Sequence, residues 1–83
     1  MNKHRHQFVE EYDGLVGFGL DRKTDEATLI WYLQKFSDDT HMALLRERIS
    51  DEDLTALFHF VSGFLHKYLK EEEYHRVFLK DEK

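Results

Sequence analysis

The chain has 83 residues, a formal charge of −5 at neutral pH, seven Phe, four Tyr and one Trp, and neither cysteine nor proline. Its length allows one small domain over 1–83, since chains of this size bury only about 60–65% of the surface they expose when unfolded. The lack of cysteine excludes disulfides and thiolate zinc sites, and the acidic balance argues against nucleic acid, whose backbone is bound by Lys and Arg. No signal-peptide core and no apolar run near 18 residues is read in it, so no membrane partner is expected and the expected setting is cytoplasmic. The aromatic content points to a dense core or to association with another chain. No cofactor is implied.

Glycine is the main breaker, with Gly14, Gly17 and Gly19 inside six residues. Phe8, Val9, Tyr12, Leu15 and Val16 follow a 3.6-residue period and predict a first helix over about 4–17. "GFGLDRK" reads as a loop. Thr24 is the expected N-cap of a second helix over 25–36, with Asp25 and Glu26 in its first turn and Leu29, Ile30, Leu33 and Phe36 on one face. A third helix is expected over about 39–48, with Met42, Leu45 and Ile49 aligned. Ser50 opens "SDED", a capping box with Asp53 in place of the usual Glu. A long fourth helix starts there and meets no strong stop signal, so it is expected to reach residue 70 or beyond. Residues 1–5 and 80–83 are expected to fray. No stretch alternates with period two. The expected architecture is all-α, a small four-helix bundle with a long C-terminal helix.

Several motifs fail on their spacing. "GLVGFG" lacks the Lys-Ser/Thr pair that must follow the last glycine of a phosphate loop directly. "DRKTDE" carries Lys23 where a calcium loop needs an oxygen ligand, and it lacks the central glycine. No nucleophile–base–acid arrangement is recognisable, so no enzymatic activity is expected.

The fourth helix shows two faces on a wheel of 100° per residue. Leu54, Leu57, Phe58, Val61, Phe64, Leu65, Tyr68 and Leu69 form a wide stripe, expected to be the core. Leu57, Val61, Phe64, Leu65 and Tyr68 should be mostly buried. Continued further, the stripe meets Glu72, His75 and Leu79. Glu72 and His75 stand i, i+3, the spacing by which carboxylate bundles hold metal ions, and are a candidate metal pair. A second face gathers Ala56, Phe60, Gly63 and Lys67, with Tyr74 and Phe78 beyond. Ala56 and Gly63 are small enough for another backbone to approach. With Trp31 and Tyr32, which leave the apolar face of the second helix, these residues form a candidate partner interface.

In "HFVSG", His59 and Gly63 occupy two fixed positions of H-x-x-K-G, and the five residues resemble the phospho-acceptor motif of histidine phosphotransfer domains, which are four-helix bundles. The resemblance implies His59 as a phospho-acceptor. Ser62 stands where that motif has the lysine that helps hold phosphate. The sequence therefore reads first as a small acidic helical module that binds protein, expected as a homodimer. The other readings are phosphotransfer through His59 and a metal site at Glu72 and His75.

Overall fold

The computed structural model describes residues 6–81. Helices account for nearly all regular structure there, and no strand occurs among the described residues. The fold is all-α. Its backbone forms two compact units, Met1–Arg48 and Ile49–Lys83.

In the first unit, α1 spans only Gln7–Glu11, well short of the expected 4–17. Tyr12 turns extended (φ −73°, ψ 121°), and its hydroxyl donates to the Leu15 carbonyl at 2.7 Å. That local bond holds the chain out of the helix. Gly14 lies against the Tyr12 ring so closely that a Cβ there would stand 2.6 Å from the phenolic oxygen. The periodicity of Leu15 and Val16 is thus overruled, and both are exposed in a loop.

Helix α2 covers Arg22–Phe36, three residues longer at its start than expected. Asp21, not Thr24, is the N-cap: its carboxylate accepts Thr24 N–H at 2.8 Å and the Thr24 hydroxyl at 3.2 Å. Thr24 therefore sits inside the first turn as a donor. Asp25 receives the N–H groups of Gly19 (2.8 Å) and Leu20 (3.3 Å), which fastens the loop to the helix. Gly19 has φ +90°, a conformation that side-chain-bearing residues rarely adopt.

The inward face of α2 differs from the one its apolar period suggests. Thr28 is 2% exposed, the only fully buried residue among those described. Its hydroxyl donates to the Gly17 carbonyl (2.9 Å) and accepts Gly17 N–H (3.0 Å). Gln34 Oε1 accepts Val9 N–H at 2.9 Å, one of the unpaired amides that begin α1. Buried or half-buried backbone groups need partners, and α2 supplies them by turning Thr28 and Gln34 toward the loop and α1. Trp31 is half-buried on the same side. Leu29, Ile30, Leu33 and Phe36 are left exposed.

Helix α3, Asp39–Arg48, matches its expected bounds. A short turn at Ser37–Asp38 joins it to α2. His41 Nδ1 donates to the Phe36 carbonyl at 2.6 Å, one of the unpaired carbonyls at the end of α2.

In the second unit, α4 runs Asp51–Tyr68, and Ser50 Oγ accepts Asp53 N–H at 3.1 Å as its cap. The helix stops sooner than expected. Leu69 and Lys70 are extended (ψ 138° and 163°). A new turn, α5 (Glu71–Glu73), follows and widens into a π-helical stretch over Tyr74–Leu79. Glu73 Oε1 accepts Lys70 N–H at 2.8 Å. This is the return half of a capping box, and a lysine has no acceptor with which to make the other half. The stop is thus set by a glutamate five residues past Tyr68.

Just past the π-helical stretch the backbone makes one further bond. Lys80 takes the left-handed conformation (φ 58°), and Asp81 N–H donates to the His75 carbonyl at 3.1 Å. Residues 82–83, like 1–5, lie outside the described residues, so the rest of the fraying expectation falls there. Among the described residues there are one five-residue helix, three longer ones and a short broken segment, which does not confirm the expected four-helix bundle.

Candidate interaction face

The largest departure concerns the stripe on α4. It was expected to be buried, yet Phe58, Phe64 and Tyr68 are 67%, 56% and 70% exposed. Leu54 and Val61 are exposed too, while Leu57 and Leu65 are half-buried. No apolar side chain is fully buried among the described residues. The apolar period is present on α4, but its side chains are not buried as expected.

The aromatic rings join what the helical wheel separates. Phe60, 66% exposed, lies 6.3 Å from Phe64 by ring centroid, and Phe64 lies 6.2 Å from Tyr68. The three rings step up the helix at i, i+4, i+8, where side chains are neighbours. Phe60 therefore extends the stripe instead of opening a separate face. At 100° per residue the apolar arc from Phe60 to Phe58 spans about 160°. Ala56 and Gly63 border it, both exposed, and a Cβ at Gly63 would meet nothing within 4 Å. Lys67 places its ammonium 5.5 Å from the Tyr68 ring centroid.

The other candidate residues are distributed as follows. Trp31 and Tyr32 belong to the first unit. Their rings meet edge to face at 5.8 Å, and Lys35 Nζ stands 5.3 Å from the Trp31 ring centroid. Tyr32 is 61% exposed. His59 is exposed on α4 with its ring at 5.9 Å from Phe58. Ser62 is half-buried, and Lys67, one turn beyond Gly63, sits against Tyr68.

The break at Leu69–Lys70 ends the wheel that carried the stripe to Glu72 and His75. At the His75 ring stand Asp81 Oδ2, 3.1 Å from Nδ1, and Glu71 Oε2, 3.5 Å from Nε2; Glu72 is exposed. The hydrogen bond to Asp81 is the largest influence on His75 and raises its pKa above 6.5, with Glu71 adding to the effect and partial desolvation opposing it. No group of three or more His, Asp and Glu is arranged to hold a metal ion among the described residues. Tyr74 stacks on His66 (5.9 Å) and on Phe78 (5.4 Å), so two of the off-stripe aromatics are engaged near the end of α4.

The first unit also holds an open groove of about 510 Å³, lined among others by His6, Glu10, Lys35, Asp38, Thr40 and His41. His6 and His41 are brought to one groove from opposite ends of the unit, which no spacing in the sequence signals. His6 Nε2 is already 2.7 Å from Ser37 Oγ, and His41 is engaged at Phe36.

Comparisons with protein families, with curated proteins and with solved structures give no match. No helix among the described residues is long and apolar enough to cross a membrane.

Proposed function

We propose that this protein works by binding protein through α4, in the first place a second copy of itself. The observation that carries the reading is the exposure of the Phe58, Phe60, Phe64 and Tyr68 rings on one helix. A helix apolar over so wide an arc is normally buried against something. An aromatic side chain buries 150–250 Å² when covered. At the exposures found, these four rings present roughly 400–650 Å². That alone reaches the largest apolar patch of a typical monomer, about 300–600 Å². With Leu54 and Val61 it approaches the roughly 800 Å² per partner of a standard interface. A chain without cysteine, which asks nothing of an oxidising compartment, suits a cytoplasmic setting. The reading assigns the protein no reaction.

Phe60→Glu tests it, with light scattering for mass and circular dichroism for helicity. A charge is costly to bury wherever burial occurs. If Phe60 is covered only in the assembly, the variant keeps most of its helicity and its mass falls from two chains to one. Loss of helicity on dilution of the wild type would accompany an obligate dimer. A wild type of one-chain mass at every concentration removes the reading.

A further inference from the structure

The exposed stripe on α4 is symmetric about Val61. Leu54 and Tyr68 stand seven residues to either side of it. At 100° per residue they point about 20° to either side of its direction, with Leu57 and Phe64 on the Tyr68 side and Phe58 and Leu65 on the other. A seven-residue recurrence with apolar residues between is the seam along which two helices pack. The charges beside this seam are not symmetric. Asp51 and Asp53, in the first turn, flank it at about 80° on its two sides. At the other end Lys67 stands further round, about 120° from Val61. Its ammonium nevertheless lies 5.5 Å from the Tyr68 ring centroid, at the edge of the seam and on the side of Asp53. Glu71–Glu73 belong to a separate turn, after the extended Leu69 and Lys70. In a parallel pair the symmetry sets each Asp51 beside the second copy's Asp53 and the two Lys67–Tyr68 pairs beside each other. In an antiparallel pair centred on Val61, Leu54 meets the second copy's Tyr68, and Asp53 comes to the side on which Lys67 leans over that ring. Leu57 then meets Phe64, and Phe58 meets Leu65.

We infer that the apolar stripe of α4 packs antiparallel on the same stripe of a second copy, about a two-fold axis at Val61, with Leu54 against the second copy's Tyr68. The inference rests on the self-association proposed above and adds its direction and register. The exposed rings supply the area. The charges select the orientation, because like charges brought together are unfavourable whatever the apolar area. Phe60, at the edge of the stripe on the Asp53 side, lies near the axis beside the second copy's Phe64.

The chain has no cysteine, so introduced cysteines report the pairing without background. Packed helix axes lie about 8–10 Å apart with Cα atoms about 2.3 Å from each axis, which brings facing Cα atoms inside the roughly 7 Å limit of a disulfide. In the antiparallel pair the two copies of residue 54 stand about 21 Å apart along the axis, as do those of residue 68, far beyond that limit. Single-cysteine chains are oxidised in a glutathione buffer at a concentration where light scattering gives the mass of two chains, and linked species are read by mass spectrometry. Mixed Leu54→Cys and Tyr68→Cys chains should give the mixed disulfide in excess of its random share, with both homodimers depleted. Val61→Cys should link to itself, and His59→Cys, about 160° away on the wheel, should not. Leu54, His59, Val61 and Tyr68 are exposed in their own chain, so circular dichroism should show helicity unchanged in every variant. Leu54→Cys chains that link chiefly to one another overturn the antiparallel direction. His59→Cys chains that link as readily as Val61→Cys chains overturn the face. A mixed disulfide that fails to form, or Val61→Cys chains that stay unlinked, at the mass of two chains overturns the register. In each of these cases self-association stands. A wild type that is monomeric throughout overturns both the inference and the reading beneath it.

Discussion

Thr28 shows how one hydroxyl can organise a unit that has no fully buried apolar residue. It closes a two-bond bracket on Gly17 and so ties the glycine-rich loop to α2. Thr28→Val keeps the shape and removes both bonds, leaving a half-buried N–H and C=O unpaired. The expected cost is about 1–3 kcal/mol, read by chemical denaturation, with faster amide exchange at Gly17 as the local signature. A Thr28→Val chain as stable as wild type would mean that water satisfies Gly17 equally well. His75 is the second informative residue. Its pKa is raised in the folded chain, first by the hydrogen bond to Asp81. A raised histidine stabilises the fold fully below its unfolded pKa near 6.5, and the contribution disappears as pH rises through the higher folded value. The clasp between His75, Glu71 and Asp81 should therefore be firm in mildly acidic solution and slack above neutrality. A proton NMR titration should place the His75 midpoint above 6.5 and show Asp81→Asn lowering it more than Glu71→Gln. A midpoint at or below 6.5 in the wild type contradicts the geometry.

Among the elements, α3 and α4 start where the sequence indicates, because their local signals suffice to set those starts. The Ser50 cap illustrates this. The misses each have a local cause that periodicity does not carry. The first helix ends early because the Tyr12 hydroxyl finds the Leu15 carbonyl. The second begins early because Asp21 outcompetes Thr24 as a cap, being an acceptor that reaches three residues on. The fourth ends at Tyr68 because Glu73 reaches back to Lys70 N–H, a stop signal written after the stop. The stripe on α4 was legible residue by residue, but its burial was not, since a period says which side chains share a face and nothing of what covers it. This changes what a core-type substitution should do. Truncating a fully buried Phe costs about 3–5 kcal/mol. Phe64 is 56% exposed, so Phe64→Ala should cost under about 1 kcal/mol in dilute solution, where each chain is alone. At concentrations that favour association the cost should rise toward the buried figure. Denaturation curves at two widely separated protein concentrations distinguish the cases. A cost of several kcal/mol that is independent of concentration would mean that Phe64 is covered within its own chain.

For the molecule as a whole, the candidate site is one apolar helix face with charged ends. The chain makes no disulfide and buries almost nothing fully, so its stability should depend on what covers α4. Amide hydrogen exchange across Asp51–Tyr68, followed against protein concentration beside the solution mass, tests this claim most directly. Protection in α4 should rise as the mass goes from one chain to two, most at Phe60, Val61 and Phe64, while Gly17 and the α1–α2 amides change little. A chain that remains monomeric, with α4 equally protected at every concentration, would contradict the account.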